Sequence, residues 1–135
     1  MAIKPVKQLV EDAEQEIETL DLEAARVLLD DGDVLFVDIR DIRELWHEGT
    51  IPGALHAPRG MLEFWVDPQS PYHKSEFSQK AKYVFFCAAG WRSALATKAL
   101  QDMGLTPVAH IRGGFGAWKE ADLPMEPVAR RQKPS

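Results

Sequence analysis

Two apolar runs without polar alternation, VLFVDI at Val34–Ile39, broken only by Asp38, and YVFF at Tyr83–Phe86, constrain the fold of this chain more than any other feature. A strand with one wet face alternates apolar and polar side chains. A run without that alternation reads as a strand covered on both faces, which is the habit of parallel sheets. The segments around the runs supply the covering helices. Residues from about Val6 to Glu18 read as a polar-rich helix on the outside of the domain, with the Ile17–Leu20 stretch beginning a first strand. Asp21 is the expected N-cap of a helix through Leu29, whose Leu22, Ala25, Leu28 and Leu29 share one side. Glu44, Leu45 and Trp46 belong to a short helix ending near Gly49, and the turn at Ile51–Gly53 leads into a short strand around Ala54–Ala57. A further short helix is expected over Gly60–Val66, then a Pro-, Ser- and His-bearing surface connection from Asp67 to Ser78. Ser93–Met103 reads as a helix stopped by Gly104, Val108–Ile111 as the last strand and Phe115–Ala121 as the last helix. Strands alternating with helices predict an α/β fold of three layers, with a mainly parallel sheet, helices on both faces and ligands at the carboxyl ends of the strands. The expected organisation is an N-terminal helical extension over 1–15, one domain over 16–124 and a C-terminal tail over 125–135.

Composition narrows the function. The 135 residues are 45% hydrophobic and 27% charged, with no apolar run near the roughly 18 residues that cross a bilayer, so no membrane partner is expected. The acidic start lacks the continuous apolar stretch of a secretory leader, and a cytoplasmic location is expected. A net charge of −5 opposes a nucleic-acid partner. The one basic cluster, Arg130, Arg131 and Lys133, reads as a solvated terminus. His47, His56, His73 and His110 show no ligand spacing and the chain has one cysteine, so neither a metal site nor an internal disulfide is expected. GGFGAW is not GxGxxG and follows a late strand, so its glycines read as relief of crowding at a turn rather than as a dinucleotide site. No cofactor is implied.

The lone cysteine stands where an open α/β sheet puts its ligands. In YVFFCAAGWRSALATKAL, the second apolar run leads directly into Cys87, and the loop through Arg92 leads into a helix. The first N–H groups of that helix lack partners within it, and the helix start carries about half a unit of positive charge, so an anion is favoured there. The expected anion is a thiolate or the outer sulfur of a persulfide. A free thiol with a pKa of about 8.5 is only a few per cent thiolate at neutral pH, and each unit of downward shift is about 1.36 kcal/mol of preference for the anion. Arg92 is the cation of the loop, Gly90 allows the amides to curl around one point, and Ser93 either caps the helix or donates to the sulfur. The competing reading of CAAG is a tight strand-to-helix turn with a buried thiol.

CAAGWRS resembles the active-site loop of rhodanese domains, CxxGxR followed by Ser or Thr, with Cys87, Gly90, Arg92 and Ser93 on its defining positions. VDIRDIRELWHEGTIPGALHAP is similar to the family's Asp-x-Arg strand end and GxIPGAxxxP turn, through Asp38, Arg40, Gly49, Ile51, Pro52, Gly53, Ala54 and Pro58. RGGFGAW resembles the stretch before its last helix. The resemblance implies a rhodanese-like fold and a sulfurtransferase, in which Cys87 accepts sulfur from a small donor such as thiosulfate and holds it as a persulfide. It implies that the amides of Ala88, Ala89, Gly90, Trp91, Arg92 and Ser93 form the cradle and that Arg92 touches the anionic end of the donor. Asp38 and Arg40 then either steady the loop or form a purely structural ion pair. Arg59 either faces the donor's sulfonate end or is an ordinary surface arginine. Trp91 either walls the pocket or packs on the sheet.

With no second cysteine to resolve a persulfide, the implied acceptor is external, either cyanide or a thiol. Two other readings compete. Cysteine phosphatases and arsenate reductases also end a Cys loop in Arg before a helix, but with CxxxxxR, whereas this loop is CxxxxR, a narrower ring suited to one sulfur. A non-catalytic docking domain of the same family commonly lacks the cysteine that this chain keeps.

Overall fold

A computed structural model describes residues 2–130; Arg131 and Lys133 lie outside the described residues. Five strands, β1 (Glu18–Leu20), β2 (Val34–Asp38), β3 (Leu55–His56), β4 (Lys82–Phe86) and β5 (Val108–Ile111), form one sheet in the order β1-β5-β4-β2-β3. All four pairings are parallel. The helices are α1 (Val6–Glu14), α2 (Leu22–Leu29), α3 (Ile42–Glu48), α4 (Leu62–Val66), α5 (Trp91–Met103) and α6 (Gly114–Glu120).

The two runs divide their side chains between two cores, as strands covered on both faces must. Phe36, Val84, Phe86, Ala109 and Ile111 face α2 and α6, packing with Ala25, Phe115 and Trp118. Val37, Tyr83, Phe85, Cys87 and Val108 face the other way, packing with Leu62 and Val66 of α4 and Ala96 and Leu100 of α5. From β2 the chain moves outward to β3, and from β4 it moves outward to β5 on the opposite side. The crevice at the carboxyl ends of β2 and β4 is therefore the topological switch point, where open α/β sheets bind ligands. Asp38 closes β2 and Cys87 follows β4 at this point.

Several boundaries differ from the sequence reading, each for a local reason. Helix α1 stops at Glu14, because the chain must turn to bury Ile17 with Val10 and Ala94 and to pair Glu18–Leu20 with β5. The extension is thus an amphipathic helix seated on α5. The connection before β4 is not wholly superficial: a 3-10 turn at Ser75–Ser78 buries Phe77, whose ring stacks on Tyr83 with centroids 5.7 Å apart. Helix α5 begins at Trp91 rather than Ser93, since Gly90 takes a left-handed conformation (φ 106°) and serves as its N-cap. The start of the tail docks on the domain. Thr50 and Glu126 exchange two backbone hydrogen bonds of 2.9 Å, and the Arg130 guanidinium lies 5.0 Å over the Trp46 ring.

Candidate active site

Cys87 directly follows the central apolar run, and it is 1% exposed. The loop behind it folds so that two backbone amides converge on one atom. Gly90 N–H donates to Cys87 Sγ at 3.2 Å and Ser93 N–H at 3.3 Å, while the Ser93 hydroxyl lies 3.5 Å from the sulfur. Ser93 sits in the first turn of α5, so its amide is one of those a helix cannot satisfy itself. The loop is clamped from below by the start of α6: Phe115 N–H donates to the Cys87 carbonyl at 2.7 Å and Gly116 N–H to that of Ala88 at 2.9 Å. Such close approach requires Gly114 (φ 61°), where an added Cβ would collide with the Cys87 carbonyl oxygen and stand 2.8 Å from that of Ala88. This is the crowding that the GGFGAW glycines relieve.

Of the expected cradle, only the amides of Gly90 and Ser93 reach Sγ among the described residues. Those of Ala88, Ala89, Trp91 and Arg92 do not. Trp91 is 49% exposed at the start of α5. Arg92 is turned toward Glu44 of α3, with Nη1 and Nη2 donating to its two carboxylate oxygens at 3.0 and 3.1 Å. This pairing holds the Glu44 carboxyl below its usual pKa and raises the already high pKa of Arg92.

The profile of the rhodanese-like domain family matches residues 21–121. The chain belongs to the rhodanese-like domain family. A sulfurtransferase of Allochromatium vinosum is 36% identical over 98 residues, covering 73% of this chain and 83% of that protein. The human thiosulfate:glutathione sulfurtransferase is 33% identical over 110 residues, covering 77% and 95%. A solved structure from Rhodopseudomonas palustris, described as a protein of unknown function and a possible tyrosine phosphatase, is 52% identical with a TM-score of 0.89, over 93% of this chain and 97% of that one. The fold is accordingly the rhodanese-like α/β fold, and both of these curated relatives are named sulfurtransferases.

Within this rhodanese-like domain, Asp38 and Arg40 form a fully buried ion pair. Arg40 donates to Asp38 from Nε at 3.0 Å and Nη2 at 2.8 Å, Thr50 Oγ1 donates to the same carboxylate at 2.7 Å, and Arg40 Nη2 also donates to the Gly49 carbonyl at 2.8 Å. The guanidinium lies 4.3 Å over the ring of Phe115, the residue whose amide holds the Cys87 carbonyl. The pair therefore does not touch the sulfur; it supports the floor of the loop. Arg59 is paired with Glu63 at 2.7 Å, and none of its described hydrogen bonds goes to the loop. Two residues at the site escaped the sequence reading. Glu44 pairs with Arg92 from 48 positions away. His110, buried in β5, places Nδ1 3.0 Å from Ser93 Oγ. No cluster of His, Cys, Asp or Glu among the described residues could hold a metal, and no described helix is long and apolar enough to cross a membrane.

Proposed function

We propose that this chain is a sulfurtransferase that carries a sulfane sulfur as a persulfide on Cys87. The observation that carries the reading is the convergence of the Gly90 and Ser93 amides on Cys87 Sγ. Dipoles fixed around the place where negative charge resides stabilise it without reorganising, as an oxyanion hole does. An outer sulfur would stand about 2.05 Å beyond Sγ. The amides of Ala89, Trp91 and Arg92, which Sγ leaves free, are the ones it would meet at the helix start.

In the first half-reaction, the Cys87 thiolate attacks the outer sulfur of thiosulfate. The S–S bond of the donor breaks, and sulfite leaves with its electron pair. In the second, an external thiolate or cyanide attacks the outer sulfur of the persulfide, and Cys87 departs as thiolate. No cofactor takes part, and the expected setting is the cytoplasm, where a lone thiol stays reduced. Arg92 meets the anionic end of the donor at the mouth, exchanging one arm of its contact with Glu44.

The description of the R. palustris relative keeps phosphate-ester hydrolysis as a second reading. Both are tested together. Mass spectrometry of the protein after thiosulfate treatment should find a gain of one sulfur atom on the Cys87 peptide, reversed by cyanide and absent in Cys87→Ser. Turnover of an aryl phosphate without any sulfur adduct would overturn the proposal.

A further inference from the structure

Cys87 does not end the hydrogen-bonded chain that begins at its sulfur. Ser93 Oγ lies 3.5 Å from Sγ and 3.0 Å from His110 Nδ1, and His110 Nε2 lies 3.1 Å from Thr19 Oγ1. Ser93 and His110 are buried, the latter 2% exposed, while Thr19 is half-buried on β1, the edge strand, directly across the register from His110. The line thus runs from a buried thiol, across two strands, to the margin of the sheet. Every member can both donate and accept.

We propose that Ser93, His110 and Thr19 are a proton relay that leads from the Cys87 thiol to the edge of the sheet and reverses its direction when the sulfur becomes an anion. In the thiol state, S–H points to Ser93 Oγ, Ser93 O–H to Nδ1, and Nε2–H to Thr19 Oγ1. On ionisation the S–H proton passes to Ser93 and the Ser93 proton to Nδ1. The Nε2 proton passes to Thr19, and Thr19 releases its own to water. One proton has left, the imidazole is neutral before and after, and Ser93 now donates to the thiolate. Such a charge-assisted bond is about twice as strong as a neutral one.

The charged groups around this line are Arg92, paired with Glu44 at the loop, the Asp38–Arg40 pair at the end of β2, and Arg112 beyond β5. Burial first, and Arg112 second, push His110 down to about 4, so the ring is uncharged at neutral pH. The role is therefore carried by the tautomer, and Ser93 and His110 act as positioning residues for the sulfur.

The inference rests on Cys87 as the reacting atom, but its test needs no sulfur transfer, so the two proposals fail separately. Nitrogen-15 NMR of the imidazole in the unmodified chain should find the proton on Nε2 below the apparent pKa of Cys87, measured by iodoacetamide alkylation, and on Nδ1 above it. The same tautomer on both sides would overturn the relay. His110→Phe should raise the alkylation pKa by about one unit, roughly tenfold less thiolate at a pH below it. His110→Asn, which returns a polar atom near the Nδ1 position, should restore most of that shift. An alkylation pKa in a folded His110→Phe chain equal to that of the parent would also overturn it. If that variant does not fold, the tautomer measurement decides alone.

Discussion

Glu44 receives both arms of the Arg92 guanidinium, at 3.0 and 3.1 Å, so the cation of the Cys87 loop is already partnered before any donor arrives. The same carboxylate also accepts from the Asp41 amide at 3.0 Å, closing the capping box of α3. Both side chains of the pair are partly exposed, which limits its net worth to about 1 kcal/mol or less. An anionic donor can therefore displace it. Glu44→Gln keeps the cap and frees the guanidinium, and the KM for thiosulfate should fall about three- to fivefold at low salt. The gain should fade as salt rises. Steady-state kinetics at two ionic strengths check this, and an unchanged KM would mean that Arg92 does not meet the donor.

Asp38 and Arg40 are both wholly buried, and that makes them sensitive to single substitutions. Asp38→Asn leaves the Arg40 charge with only the partly exposed Glu48 carboxylate, 3.7 Å from Nη1, and should cost about 3–5 kcal/mol. Replacing the pair together, as Asp38→Leu with Arg40→Met, removes both desolvation penalties and should recover much of that loss. Urea unfolding midpoints decide between this outcome and simple additivity, which would place no coupling between the two residues.

Gly114 tests the clamp beneath the loop. Gly114→Ala must move the Cys87 and Ala88 carbonyls and strain a backbone with φ of 61°, so stability should fall by about 1–3 kcal/mol. Persulfide formation should fall at least as sharply as stability, because the Cys87 carbonyl loses its hydrogen bond from Phe115. Gly32→Ala, with nothing within 4 Å of the added Cβ, is the control and should stay within about 0.5 kcal/mol. Equal persulfide yields in the two variants would argue against the clamp.

The strand runs, the order of elements and the cysteine loop were legible because each is written in consecutive residues. Val34–Asp38 and Lys82–Phe86 announce themselves by apolar continuity, and Cys87 to Ser93 by one short motif. What pairs residues across the fold was not legible. Ser93 and His110 are 17 positions apart and meet only because β5 lies beside β4. Glu44 reads only as a member of a short helix, and it reaches Arg92 through the placement of α3 over the loop. Phe77 looked superficial in a Pro- and Ser-bearing stretch, yet the core closes over it. Asp38 and Arg40 were visible as residue types, and only their burial identifies a structural pair beneath the loop.

His110 also gives stability a pH dependence whose sign is fixed by its depressed pKa. Unfolded, the imidazole takes a proton near 6.5; folded, burial holds it unprotonated until about 4. The unfolded state therefore binds more protons between these values, and stability falls as pH drops from 6.5 toward 4. A gap of this size corresponds to about 3 kcal/mol in all. Carboxylates titrate in the same range, so the parent must be compared with His110→Asn, in which their contribution is common to both chains. The stability advantage of the parent should be greatest near pH 7, shrink steadily below 6.5 and level off near 4. Urea titrations at half-unit pH steps measure it. A difference that stays flat from pH 7 to 4 would show that His110 titrates alike folded and unfolded, and that its burial does not oppose the charge.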